Sequence, residues 1–356
     1  MKLIDSGCEG AALPDRLILR IDKRDSKVSE FEPSYIRLYE SGELQRRVEI
    51  LDEMLASCNI CPLDCQIDRK KGEMARCYSR YLPIVSSHCP HFGEEPPLVG
   101  TNGAGNIFFG NCNLRCVYCQ NYQISQNYKV ELKNEVSFER LAGIMIELQE
   151  KGCHNIGLVS PTHFVPQIVR ALALAVGKGL RLPLIYNTNA YDSVDVLRLL
   201  DGVVDIYLPD LKYAEAADGY SYSKVKEYPK FARLAVKEMH RQVGSELVID
   251  DDGLLKRGLL IRHLVLPNDL AGSSETLKWI AEELGNDVAL SVMSQYYPTN
   301  KAESITLLSR HIRESEYDKV LNLLDEFGFE NGWMQNFESK DYYKPDFADR
   351  IEPFKR

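Results

Sequence analysis

The sequence predicts an α/β protein built on a parallel sheet, and three observations carry that expectation. Six short apolar runs follow one another at 106–109, 155–159, 182–186, 203–208, 259–265 and 288–292. Stretches of helical periodicity lie between them, at 137–151, 166–179, 193–201, 224–242 and 273–284. The composition, 44% hydrophobic and 27% charged, is that of a chain able to bury a large core without cross-links. Strands separated by helices of this length form βαβ units, and six of them suit an open barrel or a doubly wound sheet.

The flanks are read in chain order. Residues 1–42 are polar, without a clear period, and are expected to form an extension of mixed structure. Val48, Leu51 and Leu55 give 43–57 the stripe of an amphipathic helix. The Gly- and Pro-rich stretch 89–106 reads as an ordered connection. Beyond residue 300 two helices are expected, at 301–313 and 315–327, with Ser315 and Asp318 forming a capping box for the second. The aromatic tail is expected to pack back on the body. The organisation expected is a Cys-rich N-terminal extension over 1–100, a sheet-and-helix body over 101–300 and a helical, aromatic C-terminal extension over 301–356.

A net charge of −9 disfavours a general nucleic-acid-binding face. The first residues, MKLIDSGCEGAALPDR, contain no apolar signal-peptide core, and the apolar runs are too short to span a bilayer. The expectation is a cytoplasmic protein with no membrane partner. In a reducing compartment its ten cysteines stay as thiols unless they bind metal. They are clustered, which points to metal or iron–sulfur ligation.

The tighter cluster is GNCNLRCVYCQN, residues 110–121, directly after the first expected strand. Cys112, Cys116 and Cys119 follow the spacing C-x3-C-x2-C. Three thiolates on a short loop each bind one iron of a cubane and leave the fourth iron free for chemistry on a bound molecule. A zinc knuckle is the competing reading, but zinc wants four ligands and no fourth follows nearby. Tyr118 is placed to shield the cluster and to pack near a flat cofactor ring.

With its continuation YQIS, this segment resembles the radical S-adenosylmethionine (SAM) superfamily, and within it the group related to pyruvate formate-lyase activating enzyme. The resemblance implies a partial (β/α)6 barrel of the TIM type with its site at the C-terminal ends of the strands. It implies a [4Fe–4S] cluster on Cys112, Cys116 and Cys119, with SAM chelating the open iron through its amino and carboxylate groups. It further implies one-electron cleavage of SAM to methionine and a 5′-deoxyadenosyl radical that abstracts hydrogen, an oxidoreductase chemistry. Reduced flavodoxin or ferredoxin would be the electron donor. A glycyl-radical enzyme or another protein or peptide would be the substrate, and a small molecule is the equal alternative.

The strand ends supply the remaining candidates. Activating enzymes carry Gly-Gly-Glu after the second strand, near the SAM ammonium; here the segment reads Ser160-Pro161-Thr162-His163, without a carboxylate. His163 there is either functional or a cap for the following helix. Asn187 and Asn189 after the third strand suit recognition of an amino acid or ribose group, or make a simple turn. Asp210 and Lys212 after the fourth resemble the Asp-x-Lys segment of activating enzymes near SAM, or form an ordinary surface pair. Arg262, flanked by apolar residues in the fifth strand, matches an arginine that in related enzymes reaches the SAM carboxylate, while His263 faces the other side. Met293 or Gln295 after the sixth suits a contact with adenine, or Met293 is simply a core residue.

A second group, Cys58, Cys61, Cys65 and Cys77, forms a possible complete site for zinc or a second iron–sulfur cluster; a set of free thiols is the plain alternative. The Arg-Lys-Lys loop between them is unlike a core segment. His88 and Cys89 either complete that site or, with Gly93–Pro97, line the active-site mouth. Cys8 and Cys153 read as isolated thiols. A non-catalytic iron–sulfur electron carrier is the competing function class.

Overall fold

The computed structural model describes residues 16–19, 31–337 and 345–354, so Cys8 lies outside the described residues. Among the described residues there are ten strands: β1 Arg16–Leu19, β2 Val85–His91, β3 Ala104–Phe109, β4 Ile156–Val159, β5 Leu184–Thr188, β6 Ile206–Pro209, β7 Val248–Ile249, β8 Leu255–Leu264, β9 Ala289–Met293 and β10 Asn331–Met334. They join in one sheet, in the order β1-β10-β9-β8-β6-β5-β4-β3-β2, with β7 paired to β8 at one side. The six expected strands are β3, β4, β5, β6, β8 and β9, and every neighbouring pair among them is parallel. β10 adds a seventh parallel strand, and β2 and β1 close the two edges antiparallel.

Strand periodicity divides the side chains between two faces. Ile185, Ile206, Leu208, Leu260 and Ala289 meet Leu98 and Trp333 on the concave face, so strands from β5 to β10 share one inner core. Ile107, Tyr186, Tyr207, Ile261 and Leu290 point outward into the larger core beneath the helices. This is the partial barrel expected. The short helix Pro96–Val99 carries Leu98 into the inner core, and the helix Glu43–Glu53 buries Leu44, Val48 and Leu51.

Four local expectations are corrected. The stretch 89–106 is not only a connection, because its first residues belong to β2. Pro90 and the polar residues of β2 masked that strand, and an edge position tolerates both. Residues 301–313 do not form a helix beyond the 3-10 turn Asn300–Ser304. The amides of Lys301 and Ala302 instead both donate to the Val117 carbonyl, at 3.0 and 3.1 Å, tying this segment to the cysteine loop. The following helix is Glu314–Glu326, and its first turn is capped by Glu316 accepting from the Arg313 amide at 2.8 Å, not by Ser315 with Asp318. The helix expected at 224–242 begins at Tyr228, after left-handed Lys224 and Glu227, with Pro229 in its first turn.

Candidate active site

The cysteine loop leaves the end of β3 through Gly110. A β-carbon there would lie 2.4 Å from the Ile84 side chain and 2.9 Å from the Glu131 carboxylate, so only glycine fits. Asn111 and Arg115 then adopt left-handed conformations at φ 64° and 89°, which turn the chain back over the barrel mouth. The Val117 amide donates to Tyr222 O at 2.8 Å, and Gln126 Nε2 to Cys116 O at 2.7 Å. The loop is therefore fixed from both sides.

Cys112 and Cys116 are buried and Cys119 is half-buried, all as free thiols. Each has a polar neighbour at its sulfur. Ser223 Oγ donates to Cys116 Sγ at 2.9 Å, Asn189 Nδ2 to Cys112 Sγ at 3.5 Å, and Ser125 Oγ lies 3.2 Å from Cys119 Sγ. Burial pushes the thiols of Cys112 and Cys119 up, to about 12 and about 11, and neighbouring cysteines add to both shifts. The Lys212 ammonium pulls all three thiols back down. Lys212 and the polar neighbours at the sulfurs favour the thiolate form that metal ligation requires, against the burial and mutual repulsion that favour the thiol.

The structure sorts the other candidates. Asn189 belongs to the loop's support: besides Cys112 it bonds Asn113 Oδ1 at 2.8 Å, and its own Oδ1 accepts from the Tyr191 amide at 3.0 Å. Asn187 lies on the concave face with Ile185, half-buried, and its side chain has no hydrogen bond among the described residues. Asp210 and Lys212 form an ion pair at 2.6 Å beside the cysteine loop. The Tyr228 hydroxyl fixes this corner, 2.9 Å from Asn189 O and 2.8 Å from Asp210 O. Tyr118 is buried between the rings of Tyr213 and Tyr296, with centroids at 6.3 and 5.9 Å. Met293 lines the concave face, and Gln295 Nε2 reaches its sulfur at 3.6 Å.

Arg262 departs most from expectation. It does point into the barrel, but its Nε donates to Glu95 Oε1 at 2.8 Å and its Nη2 to both Glu95 and Glu94. Asn106 Nδ2 holds Glu94 from the other side at 2.7 Å. Its Nε and Nη2 are engaged by protein carboxylates. Burial raises Glu94, but Arg262 and His91 override it and hold the carboxyl well below its usual range. Two carboxylates face one guanidinium, leaving this layer with an excess of negative charge.

His263 faces outward as expected, between Leu211 O and Ser273 Oγ, each at 2.9 Å. His163 is buried at the end of β4, its Nε2 3.0 Å from Gly110 O. Cys58, Cys61, Cys65 and Cys77 line one cavity with Arg69 and His163. His88 and Cys89 do not line it: His88 lies 3.4 Å from Glu147, and Cys89 sits on β2 opposite Asn106. Ser223 and Tyr228 escaped the sequence reading, because nothing local marks a serine 107 positions from the cysteine it bonds.

A partial barrel with three converging thiols on the loop after its first parallel strand, and polar groups at its strand ends, defines a class of cofactor-dependent barrel enzymes. The Radical SAM superfamily model matches residues 106–230. "Uncharacterized protein MJ0674" of Methanocaldococcus jannaschii is 32% identical over 295 residues, covering 81% of this chain and 80% of the relative. "Uncharacterized protein MJ0808" of the same organism is 24% identical over 274 residues, covering 72% and 75%. Two solved structures overlap at 14% identity: "Native anSMEcpe with bound AdoMet", TM-score 0.43, and "Crystal structure of HydG: A maturase of the [FeFe]-hydrogenase", TM-score 0.42. They cover 61% and 63% of this chain, which spans 58% and 49% of theirs. The chain belongs to the radical SAM superfamily, and that membership supports SAM-cleaving radical chemistry at a [4Fe–4S] cluster. No helix among the described residues is long and apolar enough to cross a membrane.

Proposed function

We propose that Cys112, Cys116 and Cys119 are the ligands of that cluster and that the chain starts radical chemistry by hydrogen abstraction. The observation that carries this reading is the polar neighbour at every one of the three sulfurs, Asn189, Ser223 and Ser125. A bound, reduced cluster supplies the electron that splits SAM into methionine and a 5′-deoxyadenosyl radical. The protein's own part is positioning. Asp210 and Lys212, an ion pair beside the thiols, exchange partners with the ammonium and carboxylate of the methionine moiety. Asn187 offers a free amide on the same face. Glu94 and Glu95, held by Arg262, place negative charge beneath a cationic sulfonium ligand. Tyr118, wedged between Tyr213 and Tyr296, seals the cysteine loop from water. Hydrogen abstraction from a glycine of a partner protein is the finer form of this reading, and it rests on the activating-enzyme resemblance of the cysteine loop and of Asp210 and Lys212.

The test is direct. Protein reconstituted without oxygen is given SAM and dithionite, and 5′-deoxyadenosine is measured. The wild-type chain is expected to form it, and C112A/C116A/C119A to form none. Equal yields, or no yield from a wild-type chain that holds its cluster, would overturn the reading. An electron carrier gives none in either case.

A further inference from the structure

The second cysteine group is built as a site. The Cys58 amide donates to Ile67 O at 2.8 Å and the Gln66 amide to Cys58 O at 3.0 Å, folding 58–67 into a closed loop through left-handed Asp64 and Gln66. That fold brings Cys58, Cys61, Cys65 and Cys77 around one cavity, all as free thiols.

Two other side chains in the cavity wall lack what they need. Arg69, expected in a solvated basic loop, is only 1% exposed. Its Nε and Nη2 donate to Arg80 O at 3.1 and 2.7 Å, its Nη1 donates to His163 O at 2.7 Å, and it lies 5.6 Å from the Phe164 ring. Among the described residues no carboxylate pairs with it. A full positive charge buried among neutral carbonyls is costly unless something anionic balances it. His163 is also buried. A carbonyl accepts its Nε2, so Nε2 carries the proton and Nδ1 is left with a bare lone pair that has no partner.

We propose that Cys58, Cys61, Cys65 and Cys77 hold a second [4Fe–4S] cluster, whose net negative charge Arg69 balances and whose surroundings His163 completes. Four thiolates satisfy all four irons of a cubane, so this cluster has no open iron. A single zinc ion would draw its ligands into a tight tetrahedron. Among the described residues no three Cys, His, Asp or Glu side chains stand close enough together to hold one metal ion. The thiols of a cubane each bind a different iron and stand further apart. The site is joined to the first one, since Arg69 bonds the His163 carbonyl and the His163 ring bonds Gly110, where the other cysteine loop begins.

This inference does not depend on the reading of Cys112, Cys116 and Cys119. The test uses the full chain reconstituted with iron and sulfide without oxygen. Wild-type protein is expected to hold about 8 iron and about 8 sulfide, and C112A/C116A/C119A and C58S/C61S about 4 each. In the reduced wild-type protein, electron paramagnetic resonance is expected to show two cubane signals, of which SAM shifts only one. Because that measurement needs no variant, it stands even if C58S/C61S fails to fold. A C112A/C116A/C119A protein without iron, or zinc in place of iron and sulfide there, would overturn the proposal, whereas about 4 iron in the wild type kept in full by that variant would sustain it and refute the reading of the first site. Two signals that both ignore SAM would sustain it and refute the reading of the first site.

Discussion

Arg262 and Asp205 are buried ionisable side chains held by partners far away along the chain. Arg262 was legible as a costly buried charge in a strand, yet its partners, Glu94 and Glu95, lie 168 and 167 positions away. Asp205, at the foot of β6, makes the same point in a testable way. Its carboxylate accepts from the Ser34 amide at 2.9 Å and the Leu184 amide at 3.0 Å, and burial pushes its pKa up to about 6. A folded-state value above the unfolded one means that the folded chain holds this proton more tightly. The stability it contributes is full below about pH 4 and is lost as pH rises through about 6. A shift of about two units corresponds to about 3 kcal/mol. In urea titrations the stability of the wild type relative to Asp205→Asn is expected to fall by up to about 3 kcal/mol between about pH 4 and pH 7. A difference that stays constant across that range would show that the buried carboxyl keeps its ordinary pKa.

At the scale of elements, the six parallel strands and most helices were legible because burial imposes periods of two and 3.6 on the sequence. The misread elements are those whose backbone bonds are spent on tertiary partners, such as 301–313, or whose edge position tolerates Pro90. Close approach between strands is the part that periodicity does not report. Gly157 on β4 faces Asn106 on β3, and a β-carbon there would lie 2.1 Å from Asn106 Oδ1. Gly157→Ala must expel an amide that holds Glu94 in the barrel floor. The expected cost is about 2–3 kcal/mol, from overpacking and the lost hydrogen bond. Adding Asn106→Ala should recover part of it, as denaturant unfolding of the single and double variants will show. Equal stability of Gly157→Ala and wild type would mean that the floor is looser than this geometry.

At the scale of the whole molecule, the aromatic tail returns to the body as expected, on the edge beside the cysteine loop. Phe347 and Phe354 pack against Phe108 on β3, each with ring centroids 5.4 Å away. Arg350 Nη2 reaches Glu131 Oε1 at 2.7 Å, and Glu131 is fully buried. Removing the guanidinium leaves a buried carboxylate without its cation. Arg350→Ala is therefore expected to cost about 3 kcal/mol, and Glu131→Gln in the same chain to restore part of that. Thermal melts of the two proteins decide it; no loss from Arg350→Ala would show that Ser86 and Asn134 alone satisfy the acid.

The sequence by itself determined the alternation of strands and helices and the two clusters of thiols, since both are written in spacing along one covalent chain. Only the tertiary structure decided that Arg262 belongs to Glu94 and Glu95, that Asn189 and Ser223 serve the cysteines, and that Arg69 and His163 close the wall of the second site. The reason is physical. Periodicity and spacing act between near neighbours, whereas the partner of a buried charge is whichever group the fold brings within reach, and the chain gives no local sign of it.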